Sequence, residues 1–330
     1  MENKHTQYDL KQMQSLSLES KIRMTQQRIR QWYDEFDGMV YVSRSGGKDS
    51  DVLGHIVKEM YPDVPHVFIN TGLEHDSVMK HGICVSDEVI RPIMRFDDVI
   101  LKYGYPIISK EVSEAVYGAR RGWKSMADKF DRKEFGTIKY KFLLDAPFNM
   151  SHMCCNVMKK KPCKNYEHET TNKPIIGTMA DESMLRKSEW IKNGCNSFDN
   201  KRQISKPLSF WTEQDILHYI KLYKIEIASA YGDIVYTDED GMQYDNDFFN
   251  VGMKLITTGE SRTGCAFCMF GITHDTERFV RLKEREPKKY DYVMRGGKFD
   301  EQGMWIPHNG LGYKFIIDWL NEHGGFNIKY

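Results

Sequence analysis

The most informative part of the sequence is an apolar run that leads into a glycine-containing loop, Met39-Val40-Tyr41-Val42-Ser43-Arg44-Ser45-Gly46-Gly47-Lys48-Asp49-Ser50. The run 39–42 is typical of a buried strand, and residues 51–60 repeat apolar side chains at helical spacing. A helix N-terminus that follows a strand presents unpaired backbone N–H groups and favours an anion by about 0.3–1 kcal/mol. Two glycines let an oxygen approach the backbone, and a lysine adds positive charge. This pattern predicts a phosphate-binding loop formed by Ser45, Gly46, Gly47, Lys48, Asp49 and Ser50.

Strand and helix patterns alternate on both sides of this loop. Apolar β-branched runs predict strands near 64–69, 89–94, 106–109 and 174–176, and helical periodicity covers 14–36, 97–103, 110–120, 182–190, 275–285 and 313–322. Such alternation predicts an α/β fold with an open parallel sheet covered on both faces. Thr212 and Asp215 are spaced as a capping box that begins a helix. We expect an N-terminal helix (1–36), a nucleotide-binding domain (37–210) and a helical C-terminal region (211–330).

Two stretches lack clear periodicity. Residues 118–141 are rich in lysine and arginine, which favours either a mobile insertion or a solvated face. With aromatic residues interleaved, the same stretch is also a candidate for binding nucleic acid by phosphate contacts and stacking. Residues 232–263 are rich in Gly, Asp, Asn and Thr and are predicted to be a long loop.

The overall composition is that of a globular protein without a strong charge bias. Lys+Arg and Asp+Glu number 47 each in 330 residues, so no global field favours nucleic acid or an anionic membrane. There is no apolar N-terminal signal and no run of about 18 apolar residues to span a bilayer. We therefore expect a cytoplasmic protein, in which the seven cysteines serve metal binding or catalysis more readily than disulfides.

Four of these cysteines form two pairs, Cys154-Cys155 and Cys265-x-x-Cys268. Two pairs of thiolates suit a Cys₄ metal site. Adjacent cysteines on a helix point about 100° apart, so they share one ligand only at a helix end or when the ligand is large. A [4Fe–4S] cluster fits this requirement better than one zinc ion; zinc, and ordinary buried thiols without metal, remain the alternatives. Cys195, in Asn193-Gly194-Cys195-Asn196, is the candidate nucleophile among the remaining cysteines.

The motifs together resemble a known family. Ser-Gly-Gly-Lys-Asp-Ser looks like the PP-loop of the adenine nucleotide α-hydrolase superfamily, and the chain is most similar to the phosphoadenosine phosphosulfate (PAPS) reductase family, in a bacterial and phage branch. The resemblance implies a Rossmann-like sheet and a nucleotide site, to which the segments 70–74 and 176–183 also contribute; its residues would include Thr71, Gly72, Glu74, Gly177, Thr178 and Arg186. The cysteine pattern resembles the [4Fe–4S] ligand set of adenylyl sulfate (APS) reductases. The family's reductases usually carry a basic residue where Met179 stands.

The reaction expected from these features is nucleotide activation. Family reductases attack sulfur with a cysteine near the C-terminus, whereas this sequence has none after Cys268, so only Cys195 would serve. Other members of the superfamily cleave ATP to AMP and pyrophosphate and activate a substrate, in several cases for sulfur transfer. In that reaction Lys48 and the loop amides would stabilise the leaving pyrophosphate, and Asp49 or Glu74 would hold Mg²⁺ with ATP.

Two alternatives remain at this stage. The first is reduction of APS or PAPS to sulfite, and the second is a nucleotide-binding regulator without turnover. The expected partners are an adenine nucleotide and either a sulfur donor or a thiol reductant protein.

Overall fold

The computed structural model of the chain describes residues 3–132, 136–244 and 252–330. The helices are α1 (Gln7–Gln14), α2 (Leu18–Glu35), α3 (Lys48–Met60), α4 (Asp76–Cys84), α5 (Phe96–Tyr103), α6 (Lys110–Ala119), α7 (Lys124–Ala127), α8 (Lys161–Thr170), α9 (Met184–Asn193), α10 (Glu213–Tyr223), α11 (Arg278–Arg285), α12 (Pro287–Met294) and α13 (Tyr313–Gly324). The strands are β1 (Val40–Arg44), β2 (His66–Ile69), β3 (Glu88–Ile90), β4 (Ile107–Ile108), β5 (Lys173–Ile176), β6 (Asn196–Ser197), β7 (Ile204–Ser205), β8 (Ile234–Thr237), β9 (Gln243–Tyr244), β10 (Lys254–Thr257), β11 (Met269–Phe270), β12 (Lys298–Phe299) and β13 (Trp305–Ile306). The chain divides into two units, Met1–Arg91 with Cys163–Gly264 and Pro92–Pro162 with Cys265–Tyr330.

The first unit is built on a six-stranded sheet in the order β3-β2-β1-β5-β7-β6. The strands run parallel except for the β6–β7 pair, and Val42 on β1 lies opposite His66 on one side and Ile175 on the other. The chain leaves β1 toward β2 and β3 and later returns to β5 on the opposite side. The predicted α/β fold with a parallel sheet is confirmed. The strand order reverses at β1, and open α/β folds bind ligands at the carboxyl ends of the strands beside such a reversal.

The core of this unit explains why the flanking helices form where they do. Ile29 and Trp32 of α2 are fully buried against Val52 and Leu53 of α3 and the apolar strands. The predicted helix 14–36 is confirmed as α2, which begins where the Ser17 side chain accepts a hydrogen bond from the Ser20 N–H, and a separate helix, α1, precedes it.

The predicted capping box is confirmed at α10. The side chains of Thr212 and Asp215 bond each other's backbone N–H groups, and Asp215 also accepts from Lys21 at 2.6 Å. Lys21 is 2 % exposed, so this ion pair fixes α2 against the start of α10 inside the unit.

The prediction of a long loop over 232–263 was wrong in the described part of that stretch. β8 pairs antiparallel with both β10 and β9, so that Leu255 of β10, which is buried, lies opposite Tyr236. These strands have two to four residues, which is too short to show an alternating pattern against a polar composition. Residues 245–251 lie outside the described part of the chain.

The second unit contains the pairs β4–β11, which is parallel, and β12–β13, which is antiparallel. In the described residues of the basic stretch 118–141, Phe130 and Thr137 are buried, whereas basic side chains such as Arg121, Lys124 and Lys141 are exposed. Arg120 donates its guanidinium hydrogens to the backbone carbonyls of Leu143, Leu144, Ala146 and Phe148. The Arg120 guanidinium therefore stabilises the backbone of this unit through hydrogen bonds and is not available to bind a nucleic acid.

No helix within the three described ranges is long and apolar enough to cross a membrane.

Candidate functional site

The glycine-containing loop follows β1 directly and ends at Gly47, the N-cap residue of α3. Gly46 adopts φ +70°, and a Cβ there would lie 2.6 Å from the carbonyl oxygen of Val78, so only glycine fits this turn. The predicted arrangement of strand, loop and helix is thus present at the carboxyl end of the central strand, where the sheet order reverses.

The two loop serines hold the turn together. The Ser45 N–H donates to Ser50 Oγ at 3.2 Å, the Gly47 N–H donates to Ser45 Oγ at 3.3 Å, and Ser50 Oγ donates to the Gly47 carbonyl at 2.8 Å. Their hydroxyls lie 3.1 Å apart. The loop is therefore preorganised by its own side chains before any ligand arrives.

Tyr231 occupies the mouth of the loop. Its hydroxyl accepts a hydrogen bond from the Lys48 N–H at 3.1 Å and lies 2.6 Å from Thr263 Oγ1. The same oxygen is 3.1 Å from the place where a Cβ on Gly47 would lie. The first amide of α3, which would bind a phosphate oxygen, is thus satisfied by a phenol oxygen in this structure.

Lys48 and Asp49 carry the charge of the loop. Lys48 is 3 % exposed, and its Nζ donates to the Ser261 carbonyl at 2.7 Å and lies 3.2 Å from the Glu213 carboxylate. Asp49 Oδ1 is buried and has no hydrogen-bond partner among the described residues. Burial raises the pKa of the Asp49 carboxyl, and the positive charges of Lys48, Arg262 and Arg186 act against that rise. The start of α3 therefore carries a buried carboxylate oxygen with no hydrogen-bond partner among the described residues.

The segment after β2 lies within the same unit. Thr71 Oγ1 donates to Glu74 Oε1 at 2.6 Å and accepts from the Leu73 N–H, which fixes the turn. Gly72 adopts φ +74° with open space around its Cα, so its backbone is accessible to a ligand. Glu74 is 4 % exposed and is engaged by Thr71, an arrangement that suits a structural role as well as a metal ligand.

The segment after β5 packs directly against the loop. A Cβ on Gly177 would lie 2.8 Å from the Asp49 carbonyl oxygen, so glycine allows the two segments to meet. Thr178 follows, and its N–H donates to the Ile176 carbonyl at 3.1 Å. Both residues therefore lie at the carboxyl end of the strand adjacent to β1, as predicted.

Beyond this turn, Glu182 forms ion pairs with two arginines. Its carboxylate contacts the guanidinium groups of Arg186 and Arg262 and accepts the Met179 N–H at 2.8 Å. The side chain of Met179 is 4 % exposed and belongs to the hydrophobic core, so this position does not present a side chain to a ligand. Arg186 and Arg262 supply the positive charge at this edge.

The four paired cysteines lie in the second unit, and backbone pairing brings them together. Tyr105 exchanges hydrogen bonds with the backbone of Asn149 and Ser151, just before Cys154. The following residues, in β4, pair with β11, which begins immediately after Cys268. The segment 105–108 therefore draws both cysteine pairs to one place, and the thiols of Cys155, Cys265 and Cys268 each raise the pKa of Cys154.

The local chain at the adjacent cysteines has an unusual helical form. Cys154 and Cys155 begin a helical segment that continues as a π-helix over Asn156–Lys160, a form found often at functional sites. Adjacent cysteines were expected to share one ligand only at a helix end or with a large ligand, and this pair does lie at a helix end. A hydrogen bond from Cys154, together with the charges of Lys110 and Lys159, lowers the pKa of Cys155 and favours its thiolate.

A metal site at the four paired cysteines stays a prediction. None of the seven cysteines, all of which lie in the described ranges, forms a disulfide. Among the described residues, no three His, Cys, Asp or Glu side chains converge as they would on a single metal ion.

Cys195, the candidate nucleophile, does not have the environment that the prediction required. It is 6 % exposed and packs in the hydrophobic core with residues such as Ile29 and Trp190. Burial raises the pKa of its thiol, which keeps it protonated and poorly nucleophilic. Cys195 is therefore corrected to a core residue.

Three residues of the site were missed by the sequence reasoning: Tyr231, Thr263 and Arg262. All three belong to, or border, the stretch that was predicted to be a loop, whereas Glu182 lies in the segment 176–183 that the family resemblance implied. For these residues, the sequence feature that could have indicated a role in the site was the position of Arg262, three residues before the Cys265-x-x-Cys268 pair.

Comparisons with known proteins concern the part of the site that follows β5. The sequence model of the phosphoadenosine phosphosulfate reductase domain matches residues 115–241, a span that includes Gly177, Thr178 and Arg186 but not the loop at 45–50. No curated protein sequence matches the chain. The crystal structure of phosphoadenylyl-sulfate (PAPS) reductase from Candida auris, a phosphate complex, is similar at 14% identity with a TM-score of 0.38, covering 68% of this chain and 90% of that one. Residues 115–241 thus match the phosphoadenosine phosphosulfate reductase domain family, which confirms the family resemblance predicted from the motifs.

Proposed function

We propose that the chain is an ATP-activating enzyme of this family, which cleaves ATP to AMP and pyrophosphate to prepare an acceptor for sulfur transfer, and that it carries a [4Fe–4S] cluster. The observation that supports ATP most strongly is Asp49 at the start of α3, whose buried Oδ1 has no hydrogen-bond partner among the described residues. To bind APS or PAPS, the site would need only cationic side chains. ATP binds together with Mg²⁺, and the carboxylate oxygen of Asp49 is a suitable ligand for that ion.

The chain's own residues would divide the work as follows. The Lys48 N–H and the loop amides would bind the phosphate oxygen that takes the place of the Tyr231 hydroxyl. Lys48 Nζ would leave the Ser261 carbonyl and stabilise the charge that grows on pyrophosphate as it departs. Arg186 and Arg262, held by Glu182, would orient the remaining phosphate oxygens.

Cys154, Cys155, Cys265 and Cys268 would hold the cluster. When bound, a [4Fe–4S] cluster supplies either an iron site for sulfur or a structural cross-link between the two cysteine segments. Lys110 and Lys159 would offset the negative charge of the thiolates, as their effect on Cys155 indicates.

The second candidate is a sulfonucleotide reductase, which the domain match favours. In that case APS or PAPS would be the substrate, and a thiol reductant protein would be the partner. The burial of Cys195 leaves this reaction without its predicted nucleophile.

Nucleotide binding with and without Mg²⁺ separates these candidates. Calorimetry of the cluster-loaded protein is expected to show that Mg²⁺ strengthens the binding of ATP in the wild type but not in Asp49→Asn, which keeps the shape of the side chain and removes its charge. Tighter binding of PAPS than ATP, with no effect of Mg²⁺ in either protein, would contradict the proposal and favour the reductase.

A further inference from the structure

The second unit contains a buried tyrosine whose hydroxyl has no hydrogen-bond partner in the described part of the chain. Tyr313, the first residue of α13, is 0 % exposed. Its Oη forms no hydrogen bond with any described residue. A buried hydroxyl without an acceptor costs free energy, and a phenylalanine would fill the same space without that cost.

The ring of Tyr313 lies in an aromatic group that includes a residue of the Cys265-x-x-Cys268 segment. Its centroid is 6.3 Å from that of Phe267, which stands between Cys265 and Cys268 in the chain, and 6.1 Å from that of Phe279. Burial, together with the negative charge of Cys154, Cys268 and Cys265, raises the pKa of its phenol. The phenol of Tyr313 is thus near enough to the thiols of Cys154, Cys265 and Cys268 to interact with them electrostatically.

A neighbouring tyrosine shows that the fold satisfies such a group where it can. Tyr105 is also buried, its ring lies 5.9 Å from that of Tyr313, and its hydroxyl donates to the Leu311 carbonyl at 2.9 Å. Tyr313 has no equivalent carbonyl acceptor among the described residues, so its hydroxyl is available as a donor to a bound group.

We propose that Tyr313 is a positioning residue for the cluster, with its hydroxyl donating a hydrogen bond to a sulfur atom, either a bridging sulfide or a ligating cysteinate. This inference rests on the cluster named in the proposed function. A hydrogen bond to sulfur withdraws electron density from the iron–sulfur bonds and stabilises the reduced cluster, so it raises the reduction potential.

Tyr313→Phe tests the inference, with Tyr105→Phe as the matched control from the same aromatic group. Both variants and the wild type are reconstituted anaerobically, assayed for iron, and examined by resonance Raman spectroscopy in H₂O and D₂O. The iron–sulfur bands of the wild type and of Tyr105→Phe are expected to shift in D₂O, and the shift in Tyr313→Phe is expected to be smaller. Its midpoint potential should also be more negative than that of the other two proteins.

The outcomes separate the inference from the proposed function. Absence of iron and sulfide in the reconstituted wild type would contradict both. A loaded Tyr313→Phe protein with the same bands, deuterium shift and potential as the wild type would overturn the inference alone. Should Tyr313→Phe bind less iron, fluorotyrosine introduced at position 313 keeps the shape and strengthens the donor, and the potential is then expected to rise; an unchanged potential would overturn the inference.

Discussion

Replacing Tyr231 with phenylalanine is expected to weaken the fold and to tighten nucleotide binding at the same time. The hydroxyl accepts the Lys48 N–H at 3.1 Å and contacts Thr263 Oγ1 at 2.6 Å, while the ring is 2 % exposed. Tyr231→Phe keeps the ring and removes only the oxygen. The amide of Lys48 then has no acceptor until a phosphate arrives.

The magnitudes follow from the hydrogen bonds that are lost. A buried N–H without a partner costs about 1–3 kcal/mol, so the free energy of unfolding of the unliganded protein should fall by about that amount. A nucleotide that binds the wild type must break the bond between Lys48 and Tyr231, worth about 0.5–1.5 kcal/mol net. Since 1.4 kcal/mol is tenfold in affinity, the variant should bind ATP about 2- to 12-fold more tightly.

Urea denaturation and calorimetric titration with Mg-ATP measure the two effects. Tyr219→Phe is the control, because the Tyr219 hydroxyl lies 3.0 Å from His55 Nδ1 in the same unit, and its ring contacts His55, Trp211 and Tyr223. That variant should lose stability without a change in affinity. Weaker ATP binding by Tyr231→Phe would refute the reasoning, because it would show that the hydroxyl supports the bound nucleotide.

Three further predictions concern charged residues of the first unit. Lys48→Met should weaken ATP binding roughly 10- to 150-fold in calorimetry, since charge-assisted hydrogen bonds contribute about 1.5–3 kcal/mol; an unchanged affinity would remove Lys48 from the site. Because burial raises the pKa of Asp49, the carboxyl binds Mg²⁺ only after losing its proton, so Mg²⁺-supported ATP binding should strengthen as pH rises through that raised pKa; a pH profile identical to that of Asp49→Asn would contradict this. Asp51→Asn removes the anion 2.6 Å from the buried Arg44 and should lower the free energy of unfolding by about 3–5 kcal/mol in urea, whereas Glu19→Gln, which breaks an exposed pair on α2, should change it by less than about 1 kcal/mol.

The sequence predicted the elements that depend on local patterns. The loop at 45–50, its strand and its helix were placed correctly, because apolar run, glycine pair and helical period lie next to one another in the chain. Thr212 and Asp215 were predictable for the same reason, since a capping box spans four consecutive positions.

The contacts that close the site could not be predicted in this way. Tyr231 is 183 residues from Lys48, and Arg262 is 80 residues from Glu182, so no window of sequence contains either pair. Arg120 illustrates a second limit, because a guanidinium that binds buried carbonyls looks the same in a sequence as one that binds phosphate. Cys195 fails for a related reason, since burial in a core is a property of the fold and not of its flanking Gly and Asn residues.

The most direct test of the central claim is the product formed from Mg-ATP by the cluster-loaded protein under anaerobic conditions. With water as the acceptor, the account predicts slow formation of AMP and pyrophosphate in equal amounts, and loss of both products in Lys48→Met. Formation of ADP and phosphate, or ATP that stays bound and intact in the wild type, would contradict it; intact ATP would indicate a nucleotide-binding regulator.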